Sequence, residues 1–190
     1  SDTQVGGANP YAIDQDLDWS GLKHLLRGRR SLRSFDASRL PTSEVLHSIA
    51  RTAIKSPSVC NRQTGRLHVF TGEKVKQLLE YQTGNRGFGH QVPVLFVVTS
   101  DMRFFLSRKE RKQPGIDGGL FALQTVLAIQ SEGMGSVCLN WCVDHNSDLK
   151  LREIAGIPEH ENVIMLIACG YPSTEALSPI SQRYPAEAIL

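Results

Sequence analysis

The sequence predicts an α+β domain, and three observations carry that prediction. Amphipathic helical stretches and short apolar, β-branched runs are mixed along the chain without the regular alternation of a dinucleotide-binding unit. The one glycine-rich stretch, Gly84-Asn85-Arg86-Gly87-Phe88-Gly89, precedes a strand instead of opening a helix, so it fails that unit's fingerprint. The 190 residues, 41% hydrophobic and 21% charged, have the usage of one globular domain with a sizeable core.

Residues 1–16 read as a tail or linker and 17–190 as a single domain. Leu22, Leu25 and Leu26 give a short amphipathic helix ending near Gly28. Pro41-Thr42 starts a second over 42–55, with Glu44 in its first turn and Val45, Leu46, Ile49 and Ala53 as its inward stripe. A strand over 66–71 follows, then a helix over 73–82 that turns Val75, Leu78 and Leu79 inward, then a strand over 93–99. Residues 119–132 are apolar nearly all round, which predicts a helix buried at a domain centre or a subunit interface. A strand over 136–143, a polar-capped helix over 146–155 and a strand over 162–170 complete the order.

The formal net charge of +2 is too small to make the whole surface a nucleic-acid or membrane partner, so binding must be local. No apolar run approaches the ~20 residues of a membrane span. Ser1-Asp2-Thr3-Gln4-Val5-Gly6-Gly7 lacks the basic and apolar regions of a signal peptide, and a soluble, cytoplasmic protein is expected. Cys60, Cys138, Cys142 and Cys169 form no paired zinc pattern. On one strand Cys138 and Cys142 would lie more than about 10 Å apart, so all four are expected to be reduced and mostly packed. The six histidines are scattered and none is assigned a catalytic role; no metal site is expected.

Two segments concentrate binding chemistry. Arg29-Arg30-Ser31-Leu32-Arg33 places three guanidiniums and a hydroxyl in five residues just past a helix end. Arginine's planar fork stays charged and meets a phosphate bidentately, although such a cluster is more often a solvated face or a nucleic-acid patch. Ser56-Pro57-Ser58-Val59-Cys60-Asn61-Arg62-Gln63 follows the second helix, and by itself reads as a capped helix end leading into a strand.

Together these segments resemble the nitroreductase family of FMN enzymes, with its arginine-serine motif and its proline-serine-x-x-asparagine-x-glutamine loop. Four further stretches agree over 22–185: Asn85, eight residues before Pro93; Asp117-Gly118-Gly119, opening the long apolar helix that ends at Gly133-Met134-Gly135; the stretch Ile167-Ala168-Cys169-Gly170-Tyr171-Pro172; and Ser181-Gln182-Arg183. The resemblance implies a central, mainly antiparallel sheet flanked by helices, in an obligate homodimer with FMN at the subunit interface. It implies that Arg29, Arg30, Ser31 and Arg33 form one cofactor-binding motif, in which Arg29 and Ser31 meet phosphate or ribityl oxygens and Arg33 lies near the flavin pyrimidine edge, where a cation raises the reduction potential. Pro57, Ser58, Val59 and Asn61 would reach the flavin from the partner subunit, with Gln63 supporting them. Asn85 would bond the pyrimidine ring, Ser181 and Arg183 would complete the phosphate clamp, and the amides of Cys138, Leu139 and Asn140 would face the hydride-accepting nitrogen.

The implied activity is hydride transfer from NADPH or NADH through FMN to a small acceptor such as a nitroaromatic or a quinone. Dehalogenation, oxidation of a natural-product ring and FMN binding without turnover are the alternatives on the same scaffold. This sequence departs from the family in three places. Thr64-Gly65 follows Gln63 where proline and tryptophan are common; Asn140 replaces an acidic residue; and the short, basic stretch between Thr99 and Asp117 implies a more open pocket. The charges of Arg108-Lys109-Glu110-Arg111-Lys112 read as a solvated helix face or as an attractor for an anionic substrate such as NADPH.

Overall fold

Residues 16–190 are described by a computed structural model; the predicted tail lies, apart from Asp16, outside the described residues. Its centre is β2 (Val94–Asp101), which is buried at every position and apolar without a break from Val94 to Val98. Such a strand needs cover on both faces. Its side chains alternate: Leu95 and Val97 enter one core, and Val94, Phe96 and Val98 enter the other.

Three strands join it in the order β1-β2-β4-β3, every pair antiparallel: β1 (Gly65–Thr71), β3 (Gly135–Asn140) and β4 (Glu161–Gly170). The first core is closed by α3 (Glu73–Leu79) and α5 (His145–Ala155), through Val75, Leu78, Leu79 and Leu151. The second is closed by α2 (Ser43–Ala53) and α4 (Gln113–Ser131), through Ile49, Ala53, Phe121, Val126 and Ile129. Thr42 caps α2 by accepting from the Val45 amide, and Asp144 caps α5 by accepting from the Ser147 amide. Among the described residues no helix is long and apolar enough to cross a membrane.

The predicted elements all form, α3 ending at Leu79 instead of residue 82, with three further differences. Helix α4 begins at Gln113, because Pro114 supplies the helix start; Asp117, Gly118 and Gly119 lie inside it. Gly118 is needed there for a different reason. Strand β4 carries an extra residue, Ile164, where the β2 register jumps between Val98 and Thr99, and a Cβ on Gly118 would stand 2.5 Å from Ile164 Cγ1. Strand β3 ends at Asn140, so Cys142 is not on it and the two thiols share no strand face. The third difference is among the cysteines themselves: only Cys169 is buried, and Cys60, Cys138 and Cys142 are exposed.

Among the described residues, two helical faces are left uncovered. Helix α1 (Trp19–Gly28) buries no residue, and Trp19, Leu22 and Leu26 stay 39–50% exposed. On α4, Ile116, Leu120 and Leu123 form one stripe that is 40–54% exposed, opposite the face packed on the sheet.

Candidate functional site

The arginine-serine segment leaves α1 and runs beside the sheet's β3 edge. Ser31 pairs with Ser136 in a parallel bridge, the Leu32 amide donates to the Ser136 carbonyl at 2.9 Å, and Phe35 pairs with Pro172. Leu32 and Phe35 are buried in the first core, which leaves the hydrophilic members between and before them turned outward. Arg33 and Arg30 are exposed, and Arg29 and Ser31 half-buried. Arg30 folds back onto the carbonyls of Arg27 and Arg29 at 2.7 and 2.9 Å. Arg29 lies close enough to Cys138 for its charge to oppose the upward push that desolvation gives that thiol. None of these arginines is ion-paired to a carboxylate among the described residues.

Beyond Ser136 the β3 edge carries no further strand among the described residues, so it is open at Cys138, near Arg29, up to the Asn140 carbonyl that a side chain occupies. Val137 and Leu139 anchor this edge in the first core, and Cys138 and Asn140 alternate outward. Trp141 packs partly on that core and donates its Nε1–H to Asp148 Oδ1 at 2.7 Å.

Asn85 joins the same edge through Gln82, a buried residue that sequence reasoning missed. Gln82 Nε2 donates to the Asn140 carbonyl at 3.1 Å, and its Oε1 accepts from the Gly84 amide at 2.6 Å. Asn85 Nδ2 donates to the Leu79 carbonyl at 2.7 Å and to the Gln82 carbonyl, so its amide nitrogen holds its own turn together. The available signal for Gln82 was a lone amide at a helix end, just before a glycine-asparagine turn.

The 57–63 loop lies at the other edge, leading into β1. Cys60, Asn61 and Gln63 adopt positive φ values of 49°, 52° and 51°, a conformation that is costly for residues with a Cβ. The surrounding structure imposes it. Ser58 Oγ accepts from the Gln63 amide at 2.9 Å, Asp117 Oδ2 accepts from the Val59 amide at 3.2 Å, and Gln113 Nε2 secures Asp117 Oδ1 at 2.7 Å. Arg62 Nη1 donates to Glu110 Oε1 at 2.5 Å. That bond chiefly, with the Leu106 and Ser107 amides on Oε2, holds the Glu110 carboxyl below the usual range. Asp117 is thus a loop anchor and not a helix cap, and Glu110 faces inward.

A cavity of 170 Å³ lies against this loop, lined by Pro57, Ser58, Gln63, Arg66 and Asp117 among others. Thr64, in place of the family's proline, is fully buried and its Oγ1 lies 3.0 Å from Ser100 Oγ. Gly65 lets Phe121 fill the neighbouring space: a Cβ there would stand 2.6 Å from the ring.

Within one chain the predicted site therefore divides. Arg29, Arg30, Ser31, Arg33, Cys138, Leu139, Asn140 and Asn85 gather around the β3 edge, while Pro57, Ser58, Val59, Asn61 and Gln63 lie by β1, at the opposite edge with two strands between. Ser181 and Arg183 join neither group: both are outside helices and strands, and among the described residues Arg183 Nη1 bonds only the Ser181 and Gln182 carbonyls, at 2.9 and 3.3 Å. The donors fit a phosphorylated, planar heterocycle. Unpaired guanidiniums suit the phosphate, and an open strand edge suits the polar rim of a ring system.

Comparison with known proteins bears on that fit. A sequence model described as the nitroreductase family matches residues 26–82 and 73–171. The chain is 24% identical over 195 residues to iodotyrosine deiodinase 1 of Pongo abelii, covering 87% of this chain and 66% of that protein. It is 23% identical over 193 residues to a Thermus thermophilus NADH dehydrogenase, covering 85% and 91%. A solved FMN-dependent nitroreductase of Clostridium difficile R20291 superposes with a TM-score of 0.69 at 23% identity, covering 87% and 93%.

Proposed function

The chain belongs to the nitroreductase family, and from that premise we propose that residues 17–190 form the flavin-binding unit of a homodimeric, FMN-dependent oxidoreductase. Its reductant would be NADPH or NADH and its acceptor a small oxidised molecule such as a nitroaromatic or a quinone. The observation that carries the proposal is the division of the site between opposite sheet edges, since a second copy would bring one chain's 57–63 loop to the other's arginine segment. The exposed apolar stripe of α4 and the open face of α1 are the surfaces such a pairing would cover.

Bound FMN would supply two-electron chemistry at its ring. The chain's own groups bind and orient it. Arg29 and Ser31 would hold the phosphate side, and the β3 edge at Cys138 to Asn140 would meet the ring. Arg33 keeps a fixed positive charge at the site, which favours the reduced form. Ser58 and Asn61 would close the cofactor from the partner, in a loop already held in shape before binding.

A second reading, reductive dehalogenation, is favoured by the deiodinase relatives, of whose length the chain spans about two thirds. An absorbance spectrum before and after anaerobic NADPH or NADH tests the proposal. Flavin bands that bleach support it. Bands that persist leave a flavin binder or an enzyme with another reductant, and a colourless protein that takes up no added FMN overturns the reading.

A further inference from the structure

We propose that the segment from Phe104 to Lys112 is a nucleotide-recognising lip that selects NADPH over NADH through the additional phosphate; the proposal rests on the flavoenzyme reading above and deepens it. Arg108, Lys109, Arg111 and Lys112 place four cations in five residues, in a chain whose net charge is only +2. All four are exposed, and none forms an ion pair with a described residue. The one acid among them, Glu110, does not neutralise them, because its oxygens are turned inward to Arg62 and to the Leu106 and Ser107 amides. The preceding arginine, Arg103, is already engaged by Asp101, at 3.0 and 2.7 Å.

The position of this charge is set by the same contact. The Arg62–Glu110 bond ties the segment to the 57–63 loop, beside the cavity that Pro57, Ser58, Gln63 and Arg66 line. Ser107 and Glu110 form a reciprocal cap that fixes the turn from which the cations project. Aromatic rings complete the surface. Phe104 is 42% exposed with the Arg66 guanidinium 5.9 Å from its centre, and Phe105 has the Arg62 guanidinium at 5.9 Å. Ring faces paired with guanidiniums are a platform for a purine base, and the adjoining cations suit a phosphate monoester of nearly two negative charges. NADPH carries that monoester on its adenosine and NADH does not.

The test uses the FMN-loaded protein and two probes, adenosine 2′,5′-bisphosphate and AMP, followed by titration calorimetry. The bisphosphate should bind at least about tenfold more tightly, as a few solvent-screened phosphate contacts allow, and the advantage should shrink with added salt. Replacing Arg108, Lys109, Arg111 and Lys112 together by Gln should abolish the advantage without changing flavin occupancy. The lighter pair Lys109→Gln with Lys112→Gln should remove part of it, even if the fourfold variant proves poorly folded. The NADPH-to-NADH ratio of kcat/KM should fall in parallel. Equal binding of the two probes by the unmodified protein, or an advantage that survives the substitutions, would overturn the lip. A flavin bleached equally well by both nucleotides, with equal probe binding, would sink the lip alone, whereas a protein without flavin would sink the underlying reading.

Discussion

The arginine-serine segment and the 57–63 loop both lie outside the long helices and strands, yet they are held by opposite means. Residues 29–36 are fixed by main-chain bonds to Ser136 and Tyr171 and by two buried anchors, Leu32 and Phe35, so the side chains of Arg29 and Arg33 carry no structural duty. The loop is fixed by side chains that arrive from 58 and 48 residues away, Asp117 and Glu110, and its own backbone is strained. Substitutions in the first region should therefore change ligand binding and leave the fold alone. In the second, substitutions that touch no ligand should change both.

The largest effect expected is on the first side. Arg29→Ala should weaken FMN binding by about 10- to 100-fold, the loss of one charge-assisted contact, with the melting temperature unchanged. Equilibrium dialysis and a thermal melt together check this. Full flavin occupancy in the variant would count against the site, and a large drop in melting temperature would break the contrast between the two regions.

Asp117→Ala should do what Arg29→Ala does not. It leaves the Val59 amide and the Gln113 side chain without their acceptor at a buried position, at a cost of about 1–3 kcal/mol of stability. Denaturant titration reads this directly, and FMN affinity should fall as the loop loses its imposed conformation. A variant as stable as the parent would show that the loop holds its shape by other means.

Arg33→Ala returns to the first side with a smaller effect. Removing a fixed charge near the ring should lower the flavin midpoint potential by about 15–30 mV, equivalent to roughly 0.7–1.4 kcal/mol for two electrons. An equilibrium against a reference dye measures it, and an unaltered potential rejects the electrostatic role.

The same contrast explains what could be read from the sequence. Strand β2 and the stripes of α2 and α3 were legible because burial follows the local period, as Val75, Leu78 and Leu79 show. The arginine segment was legible because its chemistry is concentrated in five neighbouring residues. The loop's supports were not. Arg62 and Glu110 are 48 residues apart, and nothing local marks Glu110, set in a basic run, as an inward-facing acid. The family resemblance makes Asp117 the helix opening, whereas Pro114, three residues earlier, was the local start signal. Gln82 escaped notice because a buried amide is recognised only by its partners, and one of these, the Asn140 carbonyl, lies 58 residues away.

Acid should separate the two regions most gently. Asp101 closes the β1–β2 end next to the loop: its amide donates to the Thr64 carbonyl at 2.9 Å, and its carboxylate holds Arg103 at 2.7 Å and Arg66 at 3.6 Å. The Arg103 hydrogen bond above all draws its pKa down from 3.8 to about 2. The unfolded chain then binds the proton more readily than the folded one. The resulting stabilisation is fully present above pH 3.8 and is lost as pH falls through 2. Hydrogen exchange from pH 5 to 2 should show protection falling at residues 64–66 and 101–103 before it falls at 31–36, because the arginine segment is held by main-chain bonds that do not titrate. Asp101→Asn should remove that early loss while lowering stability at neutral pH. An acid transition that is simultaneous in both segments, or unchanged by the substitution, would show that they share one cooperative unit despite their different supports.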